Sequence, residues 1–168
     1  MESRPPSEAL RFTFSPLCQG DLEFFNEVRN SASQYLHDQR TFTLDETKQW
    51  FEERQQTNYW LVRFGNQPVG YFRTKVLDTR NWEIGADLHE SFRGQGLARL
   101  MYQKFAQEIL TANSVSKCSL KVLRSNPRAI HIYGTLGFLV TAETDIDFTM
   151  EMDVMKLSLA VSPRGTQT

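Results

Sequence analysis

The chain has 168 residues, of which 40% are hydrophobic and 23% charged, and its 19 Lys and Arg against 20 Asp and Glu give a net charge of −1. This length favours one domain with a substantial core, and the composition is typical of a soluble globular protein rather than a disordered one. The charge balance argues against a strongly basic nucleic-acid-binding protein. No apolar run approaches the ~18 residues of a membrane-spanning helix, and the first ten residues lack the pattern of a secretory signal. Cys18 and Cys118 form no paired motif, which predicts reduced thiols in a cytoplasmic protein.

Hydrophobic periodicity predicts the elements of the first half. A strand over 10–17 precedes a helix over about 20–35, in which apolar residues recur at helical spacing. Thr43 and Glu46 fit a capping box, so a second helix begins there and runs to about residue 54. Two alternating segments, 58–63 and 69–76, are joined by a tight turn and predict a hairpin.

The second half alternates strands and helices. A strand over 82–88 places Glu83 and Asp87 on one face, and a Gly-rich turn then opens a helix that ends near residue 113. A strand over 118–123 leads to a short helix with Asn126 as N-cap, and strands from 138 and over 146–154 follow. The order β, α, α, β-β-β, α, β, α, β, β predicts a mixed α/β fold. We expect one domain over 10–155, a flexible lead over 1–9 and a flexible tail over 156–168.

The most informative segment is the turn Arg93-Gly-Gln-Gly-Leu-Ala98, between a strand and a helix. Glycines let the backbone N–H groups point inward, and the helix adds the positive end of its dipole, which together favour a phosphate site. The turn lacks the Lys-Ser/Thr end of a P-loop, and Arg99 breaks the dinucleotide fingerprint. Taken alone, the segment also fits a purely structural turn.

A second motif follows at a fixed distance. The turn has the pattern Arg-x-x-Gly-x-Ala, and Asn126-Pro-Arg-Ala-Ile-His-Ile-Tyr133 stands downstream with Gly137-Phe138 after it. This pair resembles the GNAT superfamily of acyl-CoA-dependent N-acetyltransferases over residues 10–154, most clearly from Trp82 to Phe138. The resemblance implies a central sheet of six to seven strands with helices on both faces, splayed between strands four and five.

The resemblance also implies acetyl-CoA as co-substrate, with no metal, and a set of cofactor-binding residues. The strand edge Ala86, Asp87 and Leu88 would pair with the pantetheine arm, and Asn126 would hydrogen-bond it. The CoA pyrophosphate would lie on the turn, whose residues are Arg93, Gly94, Gln95, Gly96, Leu97, Ala98 and Arg99. A backbone N–H of the splayed strand would stabilise the developing oxyanion.

Tyr133 matches the family residue that often protonates the leaving thiolate, a transfer that its phenol suits, and core packing is the other interpretation of this residue. Asn126 is likewise either a ligand, an N-cap or both. Some members place a glutamate five residues before the motif asparagine, but this chain has Lys121 there. Glu83 and Asp87 therefore become the candidates for the catalytic base or for holding a cationic acceptor, against the alternative of a solvated strand face.

The sequence identifies the acceptor less specifically than the cofactor. Arg29-Asn30, Arg40–Thr43 and Trp50-Phe51 look similar to enzymes that acetylate nucleotide-linked amino sugars and also to ribosomal-protein N-terminal acetyltransferases. The leading hypothesis is direct attack, in a ternary complex, by the primary amine of a small molecule such as an amino sugar. A protein N-terminus or lysine as acceptor, and a non-catalytic CoA-binding module, are the alternatives. We expect no nucleic-acid or membrane partner, and either a monomer or a homodimer.

Overall fold

Seven strands form one mixed sheet in the computed structural model, which describes residues 11–54 and 58–160. Their order across the sheet is β1-β2-β3-β4-β5-β7-β6, and every neighbouring pair is antiparallel except the parallel pair β4–β5. The strands are β1 Phe12–Pro16, β2 Asn58–Phe64, β3 Gln67–Val76, β4 Asn81–Leu88, β5 Lys117–Leu123, β6 Leu139–Glu143 and β7 Asp147–Asp153. The predicted mixed sheet of six to seven strands is confirmed.

The described residues form five α-helices, of which the first four connect strands and the last follows β7: α1 Leu22–Ser31, α2 Leu44–Glu53, α3 Leu97–Phe105, α4 Pro127–Leu136 and α5 Val154–Ser158. The predicted capping box is present, since the Glu46 carboxylate accepts from the Thr43 N–H at 2.7 Å and the Thr43 hydroxyl accepts from the Glu46 N–H at 3.2 Å. Asn126 caps α4 through its side-chain oxygen, which accepts from the Ala129 N–H at 3.2 Å. Helix α3 continues into a π-helical turn over Ala106–Leu110.

Helix α1 and the C-terminal segment differ most from the predictions. Helix α1 is shorter than the predicted 20–35, because the residues beside it form separate 3₁₀ turns over Gln19–Asp21 and Ser33–Tyr35. Residues 156–158, predicted as flexible tail, belong to α5, where Leu157 is fully buried. The apolar residues Val154 and Leu157 lie one helical turn apart, so both reach the core. The predicted lead over 1–9 and the tail from 161 lie outside the described residues.

The sheet buries a separate core on each face. On one face Phe12, Phe72 and Ile84 pack with residues of α3, and the rings of Phe72 and Phe105 stack with centroids 3.9 Å apart. Helices α4 and α5 add Leu136 and Leu157 to this core. On the other face α1 and α2 cover a smaller core that contains Leu22, Phe25, Val28, Leu61 and Tyr71. Helices therefore lie on both faces, as predicted.

The sheet opens between β4 and β5. These strands pair only from Asn81↔Lys117 to Glu83↔Ser119, although β4 runs to Leu88 and β5 to Leu123. Over the remaining residues β4 pairs only with β3, and β5 only with β7. The predicted splay is thus confirmed, and it leaves a gap inside the sheet bordered by residues 84–88 and 120–123.

No helix among the described residues combines the length and the apolar character that crossing a membrane requires.

Candidate active site

A cavity of about 920 Å³ occupies this gap and passes from one face of the sheet to the other. Its lining on the α1–α2 side includes Phe25, Trp50, Tyr59, Tyr71 and Arg73. Its lining on the α3–α4 side includes Ala98, Met101, Tyr102, Ala129 and Tyr133. The volume lies within the range of small-molecule sites, roughly 300–1,000 Å³. Two ligands that enter from opposite faces of the sheet can therefore meet in the gap.

Two rows of residues on β2, β3 and β4 underlie the cavity on the α1–α2 side as its floor, and all of them except Leu61 line it. Strand register places Tyr59 opposite Arg73 and Arg73 opposite Gly85. The next row along the strands is Leu61, Tyr71 and Asp87. Because side chains alternate along a strand, both rows point to the same face.

Asp87 is the carboxylate of this floor that borders the gap. The Tyr71 hydroxyl donates to Asp87 Oδ2 at 2.5 Å. Burial raises the pKa of Asp87, against the opposing effects of the Tyr71 hydrogen bond and the charges of Arg73, Arg93 and Arg29. Burial, followed by the charge of Asp87, raises the pKa of Tyr71 well above its usual value, so Tyr71 stays protonated as the donor.

Glu83, the other predicted carboxylate, does not line the cavity. It lies where the sheet is still closed, between Lys75 on β3 and Ser119 on β5. Four residues along a strand separate it from Asp87 by roughly 13 Å. The two carboxylates share a strand face, but only Asp87 borders the space where a reaction can occur.

Two tyrosines meet on the opposite face. The hydroxyl of Tyr133 on α4 lies 3.3 Å from the hydroxyl of Tyr102 on α3. Burial raises the pKa of both phenols, and the negative charge of Asp87 raises both further. The bond between the hydroxyls lowers the pKa of Tyr133 and raises that of Tyr102. Both groups are therefore protonated at neutral pH, as a proton donor requires.

The Gly-rich turn holds a left-handed backbone at two positions. Gly94 has φ 76° and Gly96 has φ 75°, where an L side chain is strained. A Cβ placed on Gly96 would meet no atom within 4 Å, so the space beside that residue is open. The Arg128 guanidinium lies 3.0 Å from the position of a Cβ on Gly94. Open space, a helix start and an adjacent guanidinium fit the phosphates of CoA.

Most of the predicted cofactor residues come together in the cavity lining, namely Ala86, Asp87, Leu88, Arg93, Gly94, Ala98, Asn126 and Tyr133. Arg93 also connects the turn to β4 and α1, because its guanidinium donates to the Leu88 carbonyl at 3.0 Å and to the Ser31 hydroxyl at 3.2 Å.

Four predicted residues of the turn, Gln95, Gly96, Leu97 and Arg99, lie beside the lining rather than in it. Leu97 is buried in the core, the Gln95 amide donates to the Ser91 carbonyl, and Arg99 reaches the Thr135 carbonyl at 3.5 Å. The predicted role of these four residues in cofactor binding stays a prediction.

Several lining residues were not predicted from the sequence as site residues. Tyr102 lies four residues after Ala98, on a stripe of α3 beside the apolar line that marks the core. Tyr71 and Arg73 are two residues apart on β3, so they lie on the same face of the sheet. The sequence does not indicate which ligand that face contacts. Arg54 follows α2 as its C-cap residue and enters the lining because α2 packs over the floor.

The model of the acetyltransferase (GNAT) family matches residues 22–138, and the chain belongs to that family. It is accordingly an acetyl-CoA-dependent N-acetyltransferase. No curated protein matches the chain.

Solved structures share the fold. One is the spermidine N-acetyltransferase of Vibrio cholerae in complex with CoA and spermine, at 21% identity and a TM-score of 0.75, covering 88% of this chain and 98% of that one. Another is a domain from Methanocaldococcus jannaschii, at 22% identity and a TM-score of 0.72, covering 84% of this chain and 97% of that one. At this identity the likeness shows the fold alone.

Proposed function

We propose that the protein transfers the acetyl group of acetyl-CoA to the primary amine of a small molecule, by direct attack in a ternary complex. The observation that carries this proposal is the cavity that crosses the sheet through the gap between β4 and β5. The donor would enter on the α3–α4 side and the acceptor on the α1–α2 side. The reacting atoms would meet beside Asp87.

The donor side has the groups that CoA requires. Residues 86–88 of β4 have an edge without a partner strand, and that edge would pair with the pantetheine amides. Backbone N–H groups of the turn from Gly94 to Arg99, with the Arg128 guanidinium, would hold the phosphates. The Asn126 side-chain oxygen already accepts from Ala129, so its amide N–H groups would donate to the cofactor.

Acetyl-CoA supplies a thioester carbonyl that an amine can attack. The amine nitrogen forms a bond to the acetyl carbon, the carbon–sulfur bond breaks, and the amine proton passes to the Asp87 carboxylate. The Tyr133 hydroxyl gives its proton to the leaving sulfur. The raised pKa of Asp87 makes its carboxylate a stronger base, and the raised pKa of Tyr133 keeps its proton in place until transfer.

Direct attack is favoured because neither cysteine can carry the acetyl group. Cys18 is exposed at the start of the 3₁₀ turn before α1, and Cys118 is buried in β5. Neither lines the cavity, and burial raises the pKa of the Cys118 thiol to about 12, far from that of a reactive thiolate.

An amino sugar is the acceptor that we propose first. The walls of the acceptor side are aromatic, with Trp50 stacked on Phe25 at 5.3 Å and Tyr59 set edge-on to Trp50 at 5.0 Å. Such walls suit a compact ring, and α1 and α2 both contribute residues to this side of the cavity. The spermine complex of a structural neighbour supports a small-molecule acceptor in general.

Acetyl-CoA binding measured by calorimetry, together with CoA release in the presence of amines, tests this function. The acceptors are glucosamine, spermidine and a peptide with a free N-terminus and a lysine. We expect micromolar acetyl-CoA binding and turnover of at least one small amine. Preferred turnover of the peptide would favour a protein acetyltransferase, and acetyl-CoA binding without turnover of any of the three would refute these acceptors.

Two variants test the roles proposed for Tyr133 and for the turn at Gly96. Tyr133→Phe keeps the ring but removes the acid, so kcat should fall about tenfold or more while the Kd for acetyl-CoA stays unchanged. Gly96→Trp fills the open space beside the turn and should abolish acetyl-CoA binding, with thermal unfolding used to show that the variant is folded. Full turnover by the first variant, or full affinity of the second, would refute the corresponding assignment.

A further inference from the structure

One amine of the chain itself lines the cavity, and the proposed reaction does not use it. The chain has six lysines, all within the described residues, and of these only Lys121 on β5 belongs to the cavity lining. Among the described residues, the lysines that form ion pairs are Lys104, Lys117 and Lys156. Lys121 therefore brings an amine without an ion-pair partner to the space in which an acceptor amine would react.

The alternation of side chains along β5 directs Lys121 to the acceptor side. Its neighbours Leu120 and Val122 are buried in the core beneath α3, so Lys121 points to the opposite face of the sheet. Asp87 points to that same face from β4, on the other side of the gap. Lys121 thus faces the gap from the side on which we propose that the acceptor enters.

The distance along the strands between Lys121 and Asp87 is short. The strands β4 and β5 are parallel, and the last pair before the gap is Glu83↔Ser119. Lys121 lies two residues beyond this pair and Asp87 four residues beyond it, which separates them by roughly 7 Å along the strand direction. A lysine side chain is long and flexible, so its nitrogen can cover about this distance.

The strand beside β5 does not hold the Lys121 ammonium in place. Lys121 lies opposite Thr149 on β7, a neutral residue. Asp147, two residues away on β7, contacts His37 at 2.7 Å. Hydrogen bonds from Thr144 and His37 lower the pKa of Asp147, and the charge of Lys121 adds to this effect. Lys121 is therefore near an acidic residue without being paired with it, and its side chain is free to extend along the gap.

We propose that Lys121 is an acetylation site, modified by the acetyl-CoA that is bound in the same chain. This inference rests on the proposed placement of the donor in the gap. The Lys121 ammonium first loses a proton to water, and its nitrogen then forms a bond to the acetyl carbon while the carbon–sulfur bond breaks. The second amine proton passes to the Asp87 carboxylate, and the leaving sulfur takes the proton of Tyr133. The products are CoA and a chain with an Nε-acetylated Lys121.

Mass spectrometry of the protein incubated with saturating acetyl-CoA, without an added amine, tests the inference. Lys117 is the matched control, because it lies on the same strand and the same face, its side chain is 50% exposed, and the sheet is closed there. Acetyl phosphate measures the intrinsic reactivity of each lysine, since it transfers an acetyl group without CoA. After division by the acetyl phosphate rates, Lys121 should react about tenfold or more faster than Lys117, because the bound donor lies close to it.

Two further measurements depend on donor and lysine sharing one cavity. An excess of free CoA should suppress the acetylation of Lys121, because it occupies the donor site, and should leave the slow acetylation of Lys117 unchanged. The rate constant for Lys121 should not depend on the protein concentration, because the reaction takes place within one chain.

Equal corrected rates at Lys121 and Lys117 would overturn the inference, and so would a Lys121 rate that free CoA leaves unchanged or that rises with protein concentration. If the same protein still releases CoA with glucosamine or spermidine, the proposed function stands. Acetylation of Lys121 by a protein that acetylates no added amine supports the inference and refutes the small-molecule acceptors instead.

Discussion

The hydroxyl of Tyr102 lies 3.3 Å from that of Tyr133, so the phenol proposed to protonate the leaving thiolate has a second phenol behind it. The two tyrosines come from different helices, α3 and α4, and their rings meet nearly edge to face, with centroids 5.6 Å apart. Tyr102 is buried, and its ring also packs edge-on against Phe72. This contact makes Tyr102 a positioning residue for Tyr133.

Tyr102→Phe keeps the packing and removes the hydroxyl. We expect kcat to fall about fivefold, because the loss of one hydrogen bond costs about 1 kcal/mol of transition-state stabilisation. The KM for acetyl-CoA should stay unchanged. Because the bond from Tyr102 lowers the pKa of Tyr133, its loss should also move the alkaline limb of the pH–rate profile to higher pH. Thr135→Ala, an exposed hydroxyl on α4, is the control. A merely structural role for Tyr102 would lower Tm and leave the alkaline limb in place.

Asp87 should set the acidic limb of the same profile. It accepts a proton only when ionised, and burial raises its pKa above the usual value for aspartate. Activity should therefore rise as the pH passes upward through this raised pKa. Asp87→Asn should lose the limb together with most of kcat, whereas Glu83→Gln should keep both, since Glu83 does not line the cavity. The reverse result would make Glu83 the base.

The same carboxylate should reduce stability at neutral pH. A raised folded-state pKa means that the folded protein binds more protons than the unfolded one between the two pKa values, so stability falls as pH rises through that window. Asp87→Asn keeps an oxygen for the Tyr71 hydroxyl and removes the buried charge. Its Tm should exceed that of wild type at pH 7.5, and the difference should vanish below the pKa of an unfolded aspartate. An unchanged Tm difference across this range would contradict the linkage.

Gly70 should tolerate no side chain. A Cβ on this residue of β3 would lie 2.2 Å from the carbonyl oxygen of Asp87, closer than real Cβ contacts allow. Gly70→Ala must push β4 away at the proposed base, so we expect a loss of about 1–3 kcal/mol in the free energy of unfolding and a lower kcat. Gly20→Ala is the control, because its Cβ would meet nothing within 4 Å. Denaturant unfolding measures the free energies of both variants.

Helix α5 should be part of the folded domain. Leu157 is fully buried, whereas Leu159, two residues later, is 69% exposed. Leu157→Ala should cost about 2–5 kcal/mol of unfolding free energy, as large core truncations do. Leu159→Ala should stay within about 0.5 kcal/mol of wild type. Equal stability of the two variants would mean that α5 contributes little to the core.

The elements of the sheet and the second helix could be predicted from local signals. Thr43 with Glu46 and Asn126 with Pro127 are short-range capping patterns, and the structure has both helix starts. Helix α5 was missed because Val154 and Leu157 are too few to show a period, and only the surface of α3 and its π-helical continuation makes them core residues.

Site residues that belong to short motifs could be predicted from the sequence, whereas those brought together by tertiary packing could not. Gly94, Asn126 and Tyr133 belong to motifs with fixed spacing, and they do line one cavity. Arg29, Arg54 and Arg73 come from three elements, and Tyr102 lies beside a core stripe, so their convergence depends on tertiary packing. The choice between Glu83 and Asp87 likewise depended on where the sheet opens, which strand periodicity does not encode.

The gap in the sheet also makes the stability of the folded protein depend on the concentration of acetyl-CoA. Residues 84–88 and 120–123 form two strand edges in the middle of the sheet, and their N–H and C=O groups on the side of the gap have no strand opposite them. A pantetheine arm lying there would act as a temporary eighth strand, and its binding free energy would add to that of folding. When acetyl-CoA is scarce, the folded protein would lack this contribution, and a larger fraction of it would be unfolded at any moment.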